Sequence, residues 1–304
     1  MTAVLVIGFN RPDAVETTCS TLVDIGLTEI YLAVDGPRGH IPQDQALVTR
    51  SINVAREVLG SHLKAVLAQE TNLGCATAVP TAIDWFFSQV YEGLILEDDC
   101  VPSVAVPEYV AVMLRSYQSD PSVSLISCGS FAPPAGAPPV YLSRFPQLWG
   151  WATWADSWRD LRPSVGQLTL AKKSTTWRRM GLLERRDWVR MFRLASGPRP
   201  STWDYAILAS MWATGTTAVV PRVPLVRNIG FGLGATHADH VPSWYWESSE
   251  QELEALAAAL RHSLEPLVTY DPGSDLPIRR HIYSPPISER IRRRLRLLRA
   301  SAGK

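Results

Sequence analysis

The first 130 residues alternate strand signals with helical stretches, and this rhythm restricts the architecture more than any other feature of the chain. Val4–Phe9, Glu29–Val34, Leu63–Ala68, Leu94–Leu96 and Ser124–Ser127 read as strands. Between them, Pro12-Asp13 opens a helix to about Ile25, and further helices are expected over Gln43–Leu59, Ala76–Tyr91 and Pro107–Tyr117. Proline suits a first helical turn, and Asp13 and Glu16 suit the positive end of the helix dipole. Alternation of this kind predicts an α/β fold, a mostly parallel sheet with helices on both faces. In such sheets ligands gather beyond the carboxyl ends of the strands.

Three polar clusters follow directly on expected strands: Asn10-Arg11, Asp35-Gly36 and Glu97-Asp98-Asp99. A parallel sheet would bring all three to one edge, facing one crevice. The acidic triplet sits in "LILEDDCVPS" (94–103), a buried strand running straight into three like charges. Two unit charges about 5 Å apart repel by roughly 3 kcal/mol at an effective dielectric near 20, so a compensating cation or set of donors is expected. Mg²⁺ and Mn²⁺ prefer oxygen ligands, and Mg²⁺ is commonly held by one or two carboxylates plus substrate phosphates. The alternative is a solvated turn after an edge strand, and the motif by itself leaves both readings open.

Beyond Ser130 the pattern changes. The Pro-rich "FAPPAGAPP" (131–139) marks a boundary between a half at 1–130 and a half at 131–286. Within the latter lie a Trp-rich segment (149–158), a basic helical region (172–194), "TWDYAILASMWATG" (202–215) and the Gly-rich "NIGFGLGATHADH" (228–240). Trp151, Trp154 and Trp158 have the spacing of one helix face and read as core, which leaves Trp149-Gly150, and Trp203 beside Asp204, as aromatic positions for ligand contact. Asp204 itself reads either as a general base or as the N-cap of a helix over 205–213.

Charge narrows the class of partner. The chain carries +1 overall, while residues 287–304 hold six Arg, one Lys and one Glu, or +6, leaving −5 on the body. No basic field over the body argues for nucleic acid. The tail "ISERIRRRLRLLR" (287–299) aligns Ile287, Ile291, Leu295 and Leu298 among arginines, a pattern that fits an anionic membrane surface, packing on the acidic body or an oligomer contact. Four scattered cysteines without a CxxC pair, and an N-terminus that lacks a basic leader, lead to the expectation of a cytoplasmic protein with reduced thiols.

In seven pieces taken in order, "GFNRPD" (8–13), "AVDGPR" (33–38), "NLGCA" (72–76), "EGLILEDDCVPS" (92–103), "FPQLWGWATW" (145–154), "TWDYAI" (202–207) and "NIGFGLGATH" (228–237), the chain resembles the GT-A glycosyltransferases. Within them it resembles bacterial proteins related to the Golgi N-acetylglucosaminyltransferase that starts complex N-glycans. The resemblance implies a Rossmann-like GT-A fold with a C-terminal acceptor-side subdomain. It also implies an inverting transfer from a nucleotide-diphosphate sugar, UDP-linked, to an acceptor hydroxyl, with Mn²⁺ or Mg²⁺ as cofactor. Laid on matching positions, it makes Asp99 the metal ligand, joined by His237, and Asp204 the catalytic base. Glu97 and Asp98 would serve the donor's hydroxyls and metal-bound waters, Arg11 the nucleotide and Asp35 the base at uracil N3. Asn10, Gly36, Asn72, Gly74, Trp203, Phe231 and Gly232 fall at the donor site, and Trp149 and Gly150 on the acceptor side. His237 also reads as an ordinary structural histidine, with His240 three residues on. One departure concerns the sugar: the Golgi relative carries a histidine near its counterpart of Ala78, where this chain offers only Thr77 and Thr81, so its sugar is expected to differ. A sugar nucleotidyltransferase shares the sheet but calls for a Gly-rich loop after the first strand, and "GFNRPD" has one glycine. A non-catalytic sugar-nucleotide or glycan binder is the third reading, against which stand the intact acidic triplet and Asp204.

Overall fold

The structure, a computed structural model, describes residues 2–163, 166–196, 202–231, 241–242, 244–262 and 268–283. Its centre is an eight-stranded sheet built from β1 (Ala3–Gly8), β2 (Ile30–Val34), β3 (Leu63–Ala68), β4 (Glu92–Glu97), β6 (Val123–Ser127), β7 (Val140–Ser143), β8 (Trp151–Trp154) and β9 (Thr217–Pro221). The order across it is β3-β2-β1-β4-β8-β6-β9-β7. The first four strands are parallel, β6 and β9 pair in parallel, and β8 and β7 enter antiparallel. A separate two-stranded ribbon joins β5 (Cys100–Pro102) to β10 (Val226–Asn228).

Side-chain alternation divides the core into layers. Val4, Val6, Leu32, Val34, Leu94 and Leu96 face one side, where α1 (Pro12–Asp24), α2 (Pro42–Leu59), α4 (Val106–Tyr117) and α10 (Glu250–His262) lie against them. Leu5, Ile7, Tyr31, Ala33 and Ile95 face the other, under α3 (Cys75–Phe87), α5 (Ala155–Leu161) and α9 (Asp204–Thr214). Because both faces are covered, β1, β2 and β6 are apolar or small at every position rather than alternating with exposed polar residues. A third cluster, around Phe145, Trp188, Phe192 and Trp212, packs the short helices α6 (Gln167–Ala171) and α7 (Thr175–Arg178) and the longer α8 (Leu182–Ser196) onto α9.

The helix-face reading of the tryptophans is corrected here. Residues 151–154 form β8, so Trp151 and Trp154 point to opposite faces and belong to different core layers. Trp158 alone of the three is helical, in α5, and meets Trp151 with ring centroids 6.2 Å apart. All three are buried, as expected. Cys19, Cys100 and Cys128 are buried thiols, while Cys75 is half-buried. Among the described residues no helix is long and apolar enough to cross a membrane. The tail at 287–304 lies outside the described residues.

Candidate functional site

β2, β1 and β4 are parallel neighbours, so the clusters that follow them leave the sheet at one edge. Glu97 is the last residue of β4, and Asp98 and Asp99 make the turn into β5. This turn is tied on three sides. The Asp98 amide donates to the Ile7 carbonyl at 2.9 Å, Thr18 of α1 donates its hydroxyl to the Asp98 carbonyl at 2.8 Å, and the Ile229 amide donates to the Asp99 carbonyl at 2.9 Å. The acids are thus mounted where the main sheet, the first helix and the β5–β10 ribbon meet.

Arg11 supplies the countercharge. Its Nη1 donates to Asp99 Oδ2 at 2.8 Å and its Nη2 to Asp98 Oδ1. Burial works against the guanidinium's charge, yet Asp98 and Asp99 outweigh it and hold its pKa above the ordinary value. Three acids face one guanidinium, so the turn holds more acid than its countercharge neutralises. The remaining strain shows in the acids. Burial first, then Asp99, Asp98 and Asp204, push Glu97 up to about 8; burial pushes Asp98 up to about 6, with Arg11 opposing. Asp98 Oδ2 is buried without a hydrogen-bond partner.

Asp35 holds a different structure together. Its Oδ1 accepts from the amides of Gly36 and Leu73, both at 2.8 Å, and its Oδ2 from the Gly74 amide at 3.0 Å and Asn72 Nδ2 at 2.9 Å. One carboxylate thereby folds the 72–74 turn against the end of β2. Gly36 lets that turn approach, since a Cβ there would lie 2.4–2.6 Å from backbone atoms of Thr71. Gly74 precedes α3 at φ +74°, a left-handed position that suits glycine. Asn10 donates to Asp44 Oδ1 at 2.8 Å. Asp44, 1% exposed, is chelated by Arg38, whose hydrogen bonds together with Asn10 hold its carboxyl far below the usual range. The Arg38 guanidinium lies 5.2 Å from the Phe9 ring centroid. No spacing rule links Arg38 to Asp44, and the sequence reading missed both.

Asp204 is the first residue of α9, with Trp203 in the cap position, so the N-cap reading of Asp204 is corrected. Its Oδ1 accepts from the Tyr205 amide at 2.9 Å and from the Thr202 hydroxyl. Burial is the main cause of the raised pKa of Glu97 and of Cys75, and the charge of Asp204 adds to both, so the base candidate lies within electrostatic reach of the acidic triplet. Trp203 is 7% exposed and stacks on Trp151, centroids 6.1 Å apart, as part of the core. Gly150, at φ +70°, is a packing position where a Cβ would meet Val226 at 2.8 Å. Trp149 and Phe231 belong to one aromatic cluster, in which Trp149 meets Phe131 at 4.7 Å, Trp244 at 5.4 Å and Phe231 at 5.6 Å, and Phe231 meets Tyr245 at 5.2 Å. Phe131, Trp244 and Tyr245 were not singled out in the sequence, although "SWYW" (243–246) carries the aromatic signal. Gly232 and His237 lie outside the described residues.

Among the described residues no group of three or more His, Cys, Asp or Glu is placed to enclose a metal ion. The donor set is nonetheless hard oxygen throughout, Asp99 is only partly buried, and the neighbouring Asp98 Oδ2 is an unpartnered acceptor. These features fit a divalent ion held by one carboxylate and completed by ligand phosphates and water.

No family model matches the chain, and no curated protein matches it. Among solved structures it is similar to a mannose-1-phosphate geranyltransferase from Thermus thermophilus, at 14% identity over 73% of this chain and 74% of that one, TM-score 0.35. It is likewise similar to the mannosyltransferase PcManGT from Pyrobaculum calidifontis in complex with GDP-Man and Mn²⁺, at 14% identity over 70% of this chain and 72% of that one, TM-score 0.36.

Proposed function

We propose that this protein is a metal-dependent, inverting GT-A glycosyltransferase that moves a sugar from a UDP-linked donor to an acceptor hydroxyl. The observation that carries the reading is the grip of Arg11 on Asp98 and Asp99 in the acidic turn at the carboxyl edge of the sheet, with Asp204 within electrostatic reach of Glu97. Asp99 would hold the ion, whose charge when bound neutralises the departing diphosphate. Arg11, which here bonds Asp98 and Asp99, would supply positive charge to the same phosphates. Glu97 and Asp98 orient donor hydroxyls and bound water. Asp204 takes the proton of the acceptor hydroxyl as that oxygen attacks the anomeric carbon, and its mount on the first turn of α9 keeps the carboxylate in place. Asp35, expected at the N3 of the donor's nucleobase, already accepts four N–H bonds, so the 72–74 turn it holds would form the wall beside that nucleobase.

Calorimetry with UDP in Mn²⁺ and in EDTA tests the donor site, with tighter binding in Mn²⁺ expected and equal binding refuting the role of Asp99. Asp204→Asn should keep UDP affinity and lose transfer by about 10²-fold or more, whereas unchanged turnover removes it as base. Incubation with a sugar 1-phosphate and a nucleoside triphosphate separates the nucleotidyltransferase reading, which requires release of pyrophosphate.

A further inference from the structure

Residues 172–193 hold two Lys and six Arg against Glu184 and Asp187, a net +6 that leaves −11 on the rest of the body at 1–286. Positive charge is thus gathered on one stretch, which forms α7 and most of α8. Helical spacing sorts its side chains. Trp188 and Phe192 lie one turn apart on α8 and are buried in the third core cluster. Leu182, Arg186, Arg190 and Arg193 fall within about 80° of one another around the helix, with Leu183 beside them. All five are exposed. Lys172, Lys173, Arg178, Arg186, Arg190 and Arg193 form no ion pair among the described residues. Glu184 is bound instead to Arg279, through two bonds of 2.8 and 2.7 Å.

The corner between α7 and α8 is firmly held. Buried Met180 and Trp188 anchor it on either side. The Arg185 amide donates to the Gly181 carbonyl at 3.0 Å, and the Arg185 guanidinium donates to the Trp177 and Arg178 carbonyls at 3.0 and 2.8 Å. What the corner presents to solvent is Gly181, Leu182 and Leu183. Leu182 is 82% exposed, the highest value for a large apolar side chain among the described residues, and Leu183 is 54% exposed. A lone exposed leucine is ordinary. Here two adjacent leucines are kept in water by a hydrogen-bonded turn and are followed along the helix by a stripe of unpaired arginines.

We propose that this corner and the outer stripe of α8 dock on an anionic phospholipid membrane, the leucines entering the acyl boundary and the arginines meeting lipid phosphates. Charge complementarity selects that occupant. The tail at 287–304 carries +6, so it does not neutralise the surface, and a second copy meeting it symmetrically brings the same cations. Nucleic acid would use the arginines but has no place for protruding leucines. A bilayer interface takes both, since clusters of roughly four to eight Lys or Arg are drawn to anionic headgroups and apolar side chains enter beneath them.

The test is co-sedimentation of the full chain with phosphatidylcholine vesicles, with and without phosphatidylserine, at low and high salt, alongside thermal unfolding. Binding to the anionic vesicles that salt weakens is expected, with little binding to phosphatidylcholine alone. Leu182→Ser with Leu183→Ser, and separately Arg186→Gln with Arg190→Gln and Arg193→Gln, should each lower that binding at least about tenfold. Neither set should change the Tm, because all five side chains are exposed. Arg292→Gln with Arg293→Gln and Arg294→Gln separates the tail, and the losses from α8 should persist in that background. No preference for anionic vesicles in the wild type overturns the proposal, as does binding that only the tail variant reduces. Loss in the arginine variant with none in the leucine variant would make this a general polyanion surface and overturn it too. A leucine-dependent dimer by size-exclusion chromatography, without vesicle binding, would identify a second copy as the occupant and have the same consequence. A failure of the glycosyltransferase reading leaves these outcomes untouched.

Discussion

Replacing Asp35 by asparagine separates a residue that folds a turn from one that contacts a ligand. The carboxylate accepts four N–H bonds, two on each oxygen, between 2.8 and 3.0 Å. An amide of the same shape has one acceptor oxygen, so two donors lose their partner and face an NH₂ group instead. The other two bonds become neutral and lose up to half their strength. At about 1 kcal/mol for each lost bond and about 0.5 kcal/mol for each weakened one, Asp35→Asn should cost about 3 kcal/mol. The Leu73 amide is exposed and regains water, which places the cost at the lower side of that figure. A chain of this length shifts by roughly 2 °C per kcal/mol, so a loss of about 5 °C in Tm is expected in the absence of any nucleotide. Thermal unfolding by circular dichroism, alongside UDP calorimetry, reads both effects. An unchanged Tm with weakened UDP binding would refute the structural assignment and make Asp35 a direct contact to the base.

Two further predictions rest on the acidic turn. A Cβ at position 230 would sit 2.0 Å from Asp99 Oδ2 and 2.8 Å from its Cγ, so Gly230→Ala must turn that carboxylate aside. Mn²⁺-dependent UDP binding should fall at least tenfold, about 1.4 kcal/mol, with little change in Tm, and unaltered affinity in calorimetry would refute the clash. The second prediction is a pH dependence in metal-free protein. Glu97 and Asp98 are raised acids, so the folded state retains protons that the unfolded chain has already released. Stability therefore falls as pH rises from the ordinary carboxylate range to about 8. In EDTA the Tm should drop between about pH 5 and about pH 8, and Glu97→Gln should flatten the upper part, while a level wild-type profile would refute the buried-acid picture.

The first half of the fold was legible because most strands there are short apolar runs that alternate with helices. Strand ends at Gly8, Val34 and Glu97 carry the polar clusters directly, so parallel pairing was enough to bring them together. The second half hid its strands. "WATW" has the three-residue repeat of a helix, but its two tryptophans are separated by a buried sheet that each covers from its own side. β5 and β10 are three residues each and exist through pairing with one another across 124 positions (226 − 102), which no local pattern announces. In the site, Arg11 and Asp204 stood out through the resemblance of their motifs, and the structure sets Arg11 on Asp98 and Asp99 and Asp204 at the start of α9. The Arg38–Asp44 chelate and the four-donor use of Asp35 did not stand out, because they depend on how a turn and a helix start fold back on each other.

The β5–β10 ribbon has an evolutionary corollary. Asp99 and Ile229 share a backbone hydrogen bond, and Asp99 and Gly230 share a space that a methyl group enters only when the carboxylate turns aside. Substitutions near 230 are therefore constrained by the carboxylate at 99. Descendants that reshape the C-terminal half for a new acceptor should keep positions 99 and 230 as an inherited pair, and lineages that lose one should be free to lose the other.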